Sequence, residues 1–130
     1  MTDPFKDTIA TWPAEARRSF GRMRALILAA GAQADVGPLT ESLKWGQPAW
    51  RPTRPKQGST LRLNWTEKSP STLVLHVDCK TTLATTMREI YPTEFRYESN
   101  RALHLDIGAR WPVQAIDHLA RLTFRYHLKD

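Results

Sequence analysis

Two short segments of the sequence each place a histidine two residues before an aspartate. They are "LHVD", with His76 and Asp78, and "LHLD", with His104 and Asp106. Residues two apart in a β-strand point to the same side, so each pair would present an imidazole and a carboxylate on one sheet face. Two such strands close together would offer nitrogen and oxygen ligands that suit iron, zinc or manganese. Amphipathic strands also need polar residues on their solvent side, and this simpler explanation is favoured because the spacing matches no recognised metal-site motif.

A second group of residues combines flat aromatic rings with cationic and amide groups, as many ligand pockets do. The candidate ligand-binding residues are Lys44, Trp45, Gln47, Trp50, Arg62 and Trp65. We therefore predict a module that binds a small anionic molecule or a protein partner. An exposed aromatic sheet face is equally compatible with a homodimer. The alternative function is intracellular metal binding through the two His-x-Asp strands.

The sequence contains no motif that indicates an enzyme. It lacks a nucleophile motif, a phosphate-binding loop and a zinc pattern, and no cofactor is required. His76 oriented by Asp78 could still act as a base. Cys79 is the single cysteine and falls on the apolar side of "STLVLHVDC", so it is predicted to be a small buried hydrophobic residue. A single cysteine cannot form an internal disulfide, which favours the reducing cytoplasm.

The overall composition is that of a single soluble globular domain spanning residues 1–130. The chain is 41% hydrophobic and 25% charged. A net charge of +6 would attract nucleic acid or anionic metabolites. The basic residues are scattered along the chain, however, so a solvated surface is favoured over a nucleic-acid interface. No apolar run reaches the roughly 18 to 20 residues of a membrane span, and the first residues lack the order of a secretory signal.

Apolar residues recur at helical spacing in four segments. The first follows "DP" near the N-terminus, and the second runs from Ala14 to Gly31, where a left-handed cap would end it. The third lies in "TTLATTMREIY", and the fourth begins after Pro112. Helices are therefore expected near both ends of the chain and once in its middle.

Alternating segments predict about five strands. "TLRLNWT" and "STLVLHVDC" form one hairpin, and "FRYES" and "RALHLDI" form another across Ser99-Asn100. The fifth strand, from Ser42 to Trp45, would be bent or broken at Gly46-Gln47-Pro48, with Trp45 and Trp50 aimed from two sides of the kink.

These elements predict an α+β fold with two layers. An antiparallel or mixed sheet of about five strands would carry the N- and C-terminal helices on one face. Lys44, Arg62, His76 and His104 would then share the face that the helices leave bare. The Pro- and Arg-rich "RPTRPKQG" is predicted to be an exposed loop.

The segment "ESLKWGQPAW" resembles the signature of the YdhG-like domains of unknown function, which are small bacterial proteins. The similarity includes the order of elements over most of the chain, and the "RPTRPKQG" loop departs from it. The resemblance implies an α+β fold with an open sheet and helices on one side. Some relatives are described as frataxin-like intracellular iron chaperones, while most have no assigned activity. The positions that match the signature are Glu41, Lys44, Trp45, Gly46, Pro48 and Trp50.

Overall fold

The structure is a computed structural model that describes residues 3–128. Within these residues, four helices and six strands follow one another. In chain order they are α1 (Lys6–Ala10), α2 (Ala14–Gln33), β1 (Leu39–Lys44), β2 (Gln47–Pro52), β3 (Leu61–Asn64), β4 (Thr72–His76), α3 (Leu83–Ile90), β5 (Arg96–Glu98), β6 (Ala102–Asp106) and α4 (Val113–Phe124).

The strands form one open antiparallel sheet in the order β1-β2-β3-β4-β6-β5. The α+β class is confirmed, and so are the two predicted hairpins, β3–β4 and β5–β6. The predicted strand count of about five is too low by one. The difference arises because "ESLKWGQPAWRP" contains two strands where one bent strand was expected.

The β1–β2 hairpin turns over only two residues, Trp45 and Gly46. Lys44 pairs with Gln47, and both central residues have positive φ angles, 56° for Trp45 and 74° for Gly46. Two positive φ angles are typical of a type I′ turn, whose twist matches that of the flanking strands. The predicted kink is therefore wrong. The chain reverses direction before Gln47, and Trp50 lies in β2 opposite Glu41.

Buried residues of the helices and of alternate strand positions form one hydrophobic core. Leu63, Leu75 and Leu103 are consecutive cross-strand partners and are fully buried. The apolar stripe predicted for α2 is buried with them. Helix residues of this core include Phe20, Met23, Ile27, Leu83, Met87, Leu119 and Phe124.

The end of α2 differs from the sequence prediction. Helix α2 continues to Gln33 past Gly31, and Gly31 lies where a Cβ would overlap the side chain of Leu39. None of the four helices within residues 3–128 is both long and apolar enough to cross a membrane.

The end of the "RPTRPKQG" segment is also packed against the protein. The amide of Ser59 donates to the carbonyl of Thr123 at 2.8 Å, and the carbonyl of Gln57 accepts from the amide of His127 at 3.0 Å. These bonds fix the segment before β3 to the end of α4. Of the predicted exposed loop, Arg51 and Pro52 belong to β2, residues 53–56 are exposed, and Gln57 and Gly58 are half-buried.

Candidate functional site

A row of side chains crosses the sheet on the side opposite the Leu63–Leu75–Leu103 row, and we call this side the open face. Arg62 and His76 are direct cross-strand partners in its centre. A buried alanine flanks each of them, Ala49 on one side and Ala102 on the other. The small alanines leave space beside the two long polar side chains. The whole row is Ser42, Ala49, Arg62, His76, Ala102 and Glu98.

Arg62 is a half-buried cation without a carboxylate bound to it. Its Nη1 donates to Oε1 of Gln47 at 3.1 Å, and it forms no ion pair with any residue between 3 and 128. Burial lowers the pKa of the guanidinium from its ordinary value, and the nearby charge of Arg101 lowers it further, while Asp78 acts in the opposite direction. The site thus holds positive charge in a partly desolvated position.

Two further cations lie beside Arg62. Arg101 belongs to the turn between β5 and β6, and Lys44 is the last residue of β1; both are exposed, and neither has an ion pair in the described part of the chain. We call Lys44, Arg62 and Arg101 the cationic cluster.

The cationic cluster borders two adjoining depressions on the open face. The first cavity, of about 250 Å³, is lined by all three cations together with Trp45, Asp78 and other residues. The second cavity, of about 330 Å³, shares Arg62 and Arg101 with the first and includes His76. Each cavity is therefore lined by more than one basic side chain and by one carboxylate, Asp78 in the first and Glu98 in the second.

His76 lines the second cavity together with two other uncharged polar residues, Gln47 and Ser99. Burial, together with the positive charges of Arg62 and His104, lowers its pKa from 6.5 to about 4. Its ring makes no hydrogen bond to another residue in the range 3–128. At neutral pH His76 is therefore a neutral imidazole that could donate to or accept from a bound molecule.

The structure brings together the four residues predicted to share a face. Arg62 and His76 are partners, His104 pairs with Val74 on the same face, and Lys44 lies two residues beyond Ser42. The common face predicted from alternation is confirmed.

The predicted carboxylate ligands are engaged in other contacts. Oδ1 of Asp106 accepts from Arg96 at 2.8 Å, and Oδ1 of Asp78 accepts from the amide of Lys80 at 2.9 Å. Nε2 of His104 lies 3.0 Å from Oε1 of Glu98.

No group of three or more His, Cys, Asp and Glu side chains between residues 3 and 128 could hold a metal ion. In the register of β4 and β6, His76 pairs with Ala102 and Asp106 pairs with Thr72, so each His-x-Asp pair is offset from the other. The iron or zinc site gains no support from this arrangement and stays a prediction.

Two of the predicted pocket tryptophans lie in the core. Trp50 is fully buried, pairs with Leu61 and donates from Nε1 to Glu41. Trp65 is also buried and donates from Nε1 to the carbonyl of Pro70 at 2.9 Å. Both lie on the opposite side from the open face: Trp50 alternates with Ala49 in β2, and Trp65, directly after β3, follows Asn64 of the open face. Of the three candidates only Trp45 is exposed, at 82%.

Two residues at the first cavity were not predicted to belong to it. Arg101 lies in a turn, where no periodic pattern marks the face that a side chain will join. Cys79 was predicted to be buried, but it is exposed, because β4 ends at His76 and Asp78 begins a turn. Both line the first cavity.

Comparison with known proteins gives no assignment: no protein-family model, no curated protein and no solved structure matches this chain. The resemblance of "ESLKWGQPAW" to the YdhG-like domains therefore stays a prediction.

Proposed function

We propose that the protein binds a small anionic molecule on the open face, between the side chains of the cationic cluster. The observation that carries this proposal is the state of Arg62, which is half-buried, beside Arg101, and without an ion pair in residues 3–128. A charge that is taken out of water without a partner is unfavourable. An anion with several acceptor oxygens would offset that cost, since a guanidinium can donate two parallel hydrogen bonds to it.

The proposal requires an accessible open face, as in the two-layer arrangement expected from the sequence, with the helices on one side of the sheet. Two observations support it. The buried helix residues belong to the same core as Leu63, Leu75 and Leu103. The large side chains of the opposite row, Arg62 and His76, are only partly buried.

Two neutral groups would assist the cations. Gln47 holds one Arg62 nitrogen through its Oε1, which leaves the other guanidinium donors for a ligand. His76 could add one hydrogen bond from the second cavity. A neutral imidazole there adds no further positive charge to an already cationic site.

Titration calorimetry and thermal unfolding with inorganic phosphate and pyrophosphate test the proposal. We expect a ligand at 100 times its Kd to stabilise the protein by about 2.7 kcal/mol, or to raise its melting temperature by about 10 °C. Arg62→Met should lose this shift. Arg18→Met, which removes an exposed arginine of α2 and makes the same change in net charge, should keep it.

Cys79 provides a local readout, because it is the sole cysteine of the chain and lines the first cavity. Bound pyrophosphate should slow its alkylation by iodoacetamide in the protein and in Arg18→Met, but not in Arg62→Met. If Arg62→Met and Arg18→Met bind pyrophosphate equally well, the anion lies elsewhere and the proposal is overturned. The same holds if bound pyrophosphate leaves the alkylation rate of Cys79 unchanged.

A further inference from the structure

Trp45 occupies a position that does not suit a tryptophan. It is the first central residue of the β1–β2 turn, with a φ of 56°, where asparagine, aspartate or glycine is usual. A bulky residue with positive φ is a genuine outlier. Its side chain is also the most exposed of the large hydrophobic ones in the described chain, at 82%. Neither local conformation nor packing in the core explains this residue.

The position of the turn gives the indole a specific neighbourhood. Trp45 and Lys44 contribute to one side of the first cavity, and Arg62 and Arg101 contribute to it from β3 and from the β5–β6 turn. A flat apolar ring and three cations therefore border the same depression. An inorganic anion would use the cations alone and leave the indole without a contact.

We propose that the bound anion carries a flat ring, so that the ligand class is a nucleotide whose phosphates lie in the cationic cluster and whose base stacks on Trp45. The proposal rests on the proposed function, since the same three cations hold the phosphates. Guanidinium groups match phosphate oxygens in geometry, and an exposed tryptophan stacks on any base. The first cavity, of about 250 Å³, would hold the phosphates, and the base would lie outside it against the exposed indole.

Calorimetry with adenosine 5′-diphosphate and with pyrophosphate separates the two parts of the ligand. The nucleotide should bind about tenfold more tightly than pyrophosphate, which is the contribution of one stacked base. Trp45→Ala should lose this tenfold difference and keep the affinity for pyrophosphate. Trp45→Phe should retain part of it. Trp45→Asn is the folding control: asparagine suits the turn, so a loss of the tenfold difference in this variant cannot come from unfolding.

The outcomes distinguish this inference from the proposed function. Absence of pyrophosphate binding overturns both. Pyrophosphate binding with equal affinity for the nucleotide, or a nucleotide affinity unchanged in Trp45→Ala, overturns the nucleotide class alone.

Two further measurements address other uses of the exposed indole. The first is binding of a single-stranded DNA of ten nucleotides. If this DNA binds more than tenfold more tightly than the mononucleotide, and the gain depends on Trp45, nucleic acid is the ligand and the proposal is overturned. Sedimentation velocity tests for a dimer. A native protein that is dimeric and a Trp45→Ala variant that is monomeric would assign the indole to a contact between two copies, and would also overturn the nucleotide proposal.

Discussion

The indole Nε1 of Trp50 donates a 2.8 Å hydrogen bond to Oε2 of Glu41, its direct partner across the β1–β2 pair. The same carboxylate accepts two hydrogen bonds from Arg24 of α2, from Nε at 2.7 Å and from Nη2 at 2.8 Å. Arg24 also contacts Asp3 at 2.9 Å. Glu41 thus ties the edge of the sheet to a helix, and two residues of "ESLKWGQPAW" have a structural role that is separate from the open face.

Glu41→Gln should lower the free energy of unfolding at pH 7 by about 2 kcal/mol, because it removes a charged acceptor of three hydrogen bonds. Arg24 holds the pKa of the Glu41 carboxyl below its ordinary value of 4.5. The unfolded chain therefore binds more protons near that pH, and the native protein should lose this stabilisation as the pH falls below about 4.5. Urea denaturation at several pH values measures both effects.

The matched control for this variant is Glu67→Gln, which removes an exposed carboxylate in the turn after β3. It should change stability by less than about 0.5 kcal/mol. If Glu41→Gln is as stable as Glu67→Gln at pH 7, the Arg24–Glu41–Trp50 contacts contribute nothing to the fold.

The two tryptophans of the hairpin should respond to substitution in opposite directions. Trp45→Asn should stabilise the protein by about 1 kcal/mol, because asparagine tolerates the positive φ of this turn. Trp50→Phe should destabilise it by about 2 kcal/mol, through a lost hydrogen bond to Glu41 and a smaller side chain in the core. Thermal unfolding of both variants decides this. A destabilised Trp45→Asn would mean that the indole stabilises the fold.

Gly58→Ala should destabilise the protein by about 3 kcal/mol. A Cβ on Gly58 would fall on the backbone carbonyl of Phe124, which belongs to a helix and cannot move aside as a side chain can. Gly108→Ala is the matched control, since a Cβ there meets no atom within 4 Å. Chemical denaturation should separate the two variants clearly. Similar stabilities would show that the segment before β3 does not pack against α4.

His76 should make the protein less stable in mild acid. Its pKa of about 4 lies below the ordinary 6.5 because of burial and of the charges of Arg62, His104 and Arg101, against which Glu98 acts. Between these pH values the unfolded chain binds the extra proton, so stability should fall as the pH drops from 6.5 to 4. After allowance for solvent screening, the loss is on the order of 2 kcal/mol.

His76→Gln should abolish this loss between pH 6.5 and pH 5, where Glu41 remains ionised. His127→Gln, a change of an exposed histidine after α4, should leave it intact. Denaturation curves at pH 7 and pH 5 provide the measurement. A native protein with equal stability at the two values would contradict the buried neutral state of His76.

Periodic patterns predicted the elements with regular spacing. The apolar stripe of α2, the helix after Pro112 and the two hairpins that follow β2 have the positions expected from sequence. The prediction failed at Trp45-Gly46. A tryptophan with positive φ is contrary to local preference, so the sequence predicts one bent strand here and not a turn.

The strand ends were also beyond sequence reasoning. If the side chains alternated between the two faces throughout "STLVLHVDC", Cys79 would be buried. Instead, the Asp78 side chain accepts a hydrogen bond from the amide of Lys80, the alternation ends there, and Cys79 is exposed. A turn replaces a strand here through a local hydrogen bond that competes with sheet pairing.

The sequence by itself determined which residues share a face, because side chains alternate strictly along a strand and the apolar ones must be buried. That rule alone placed Lys44, Arg62, His76 and His104 together. Only the tertiary structure decided which of them are neighbours, because strand register and turn positions depend on contacts between distant segments. It set Arg101 beside Arg62, took Trp50 and Trp65 into the core, and left Trp45 exposed at the first cavity.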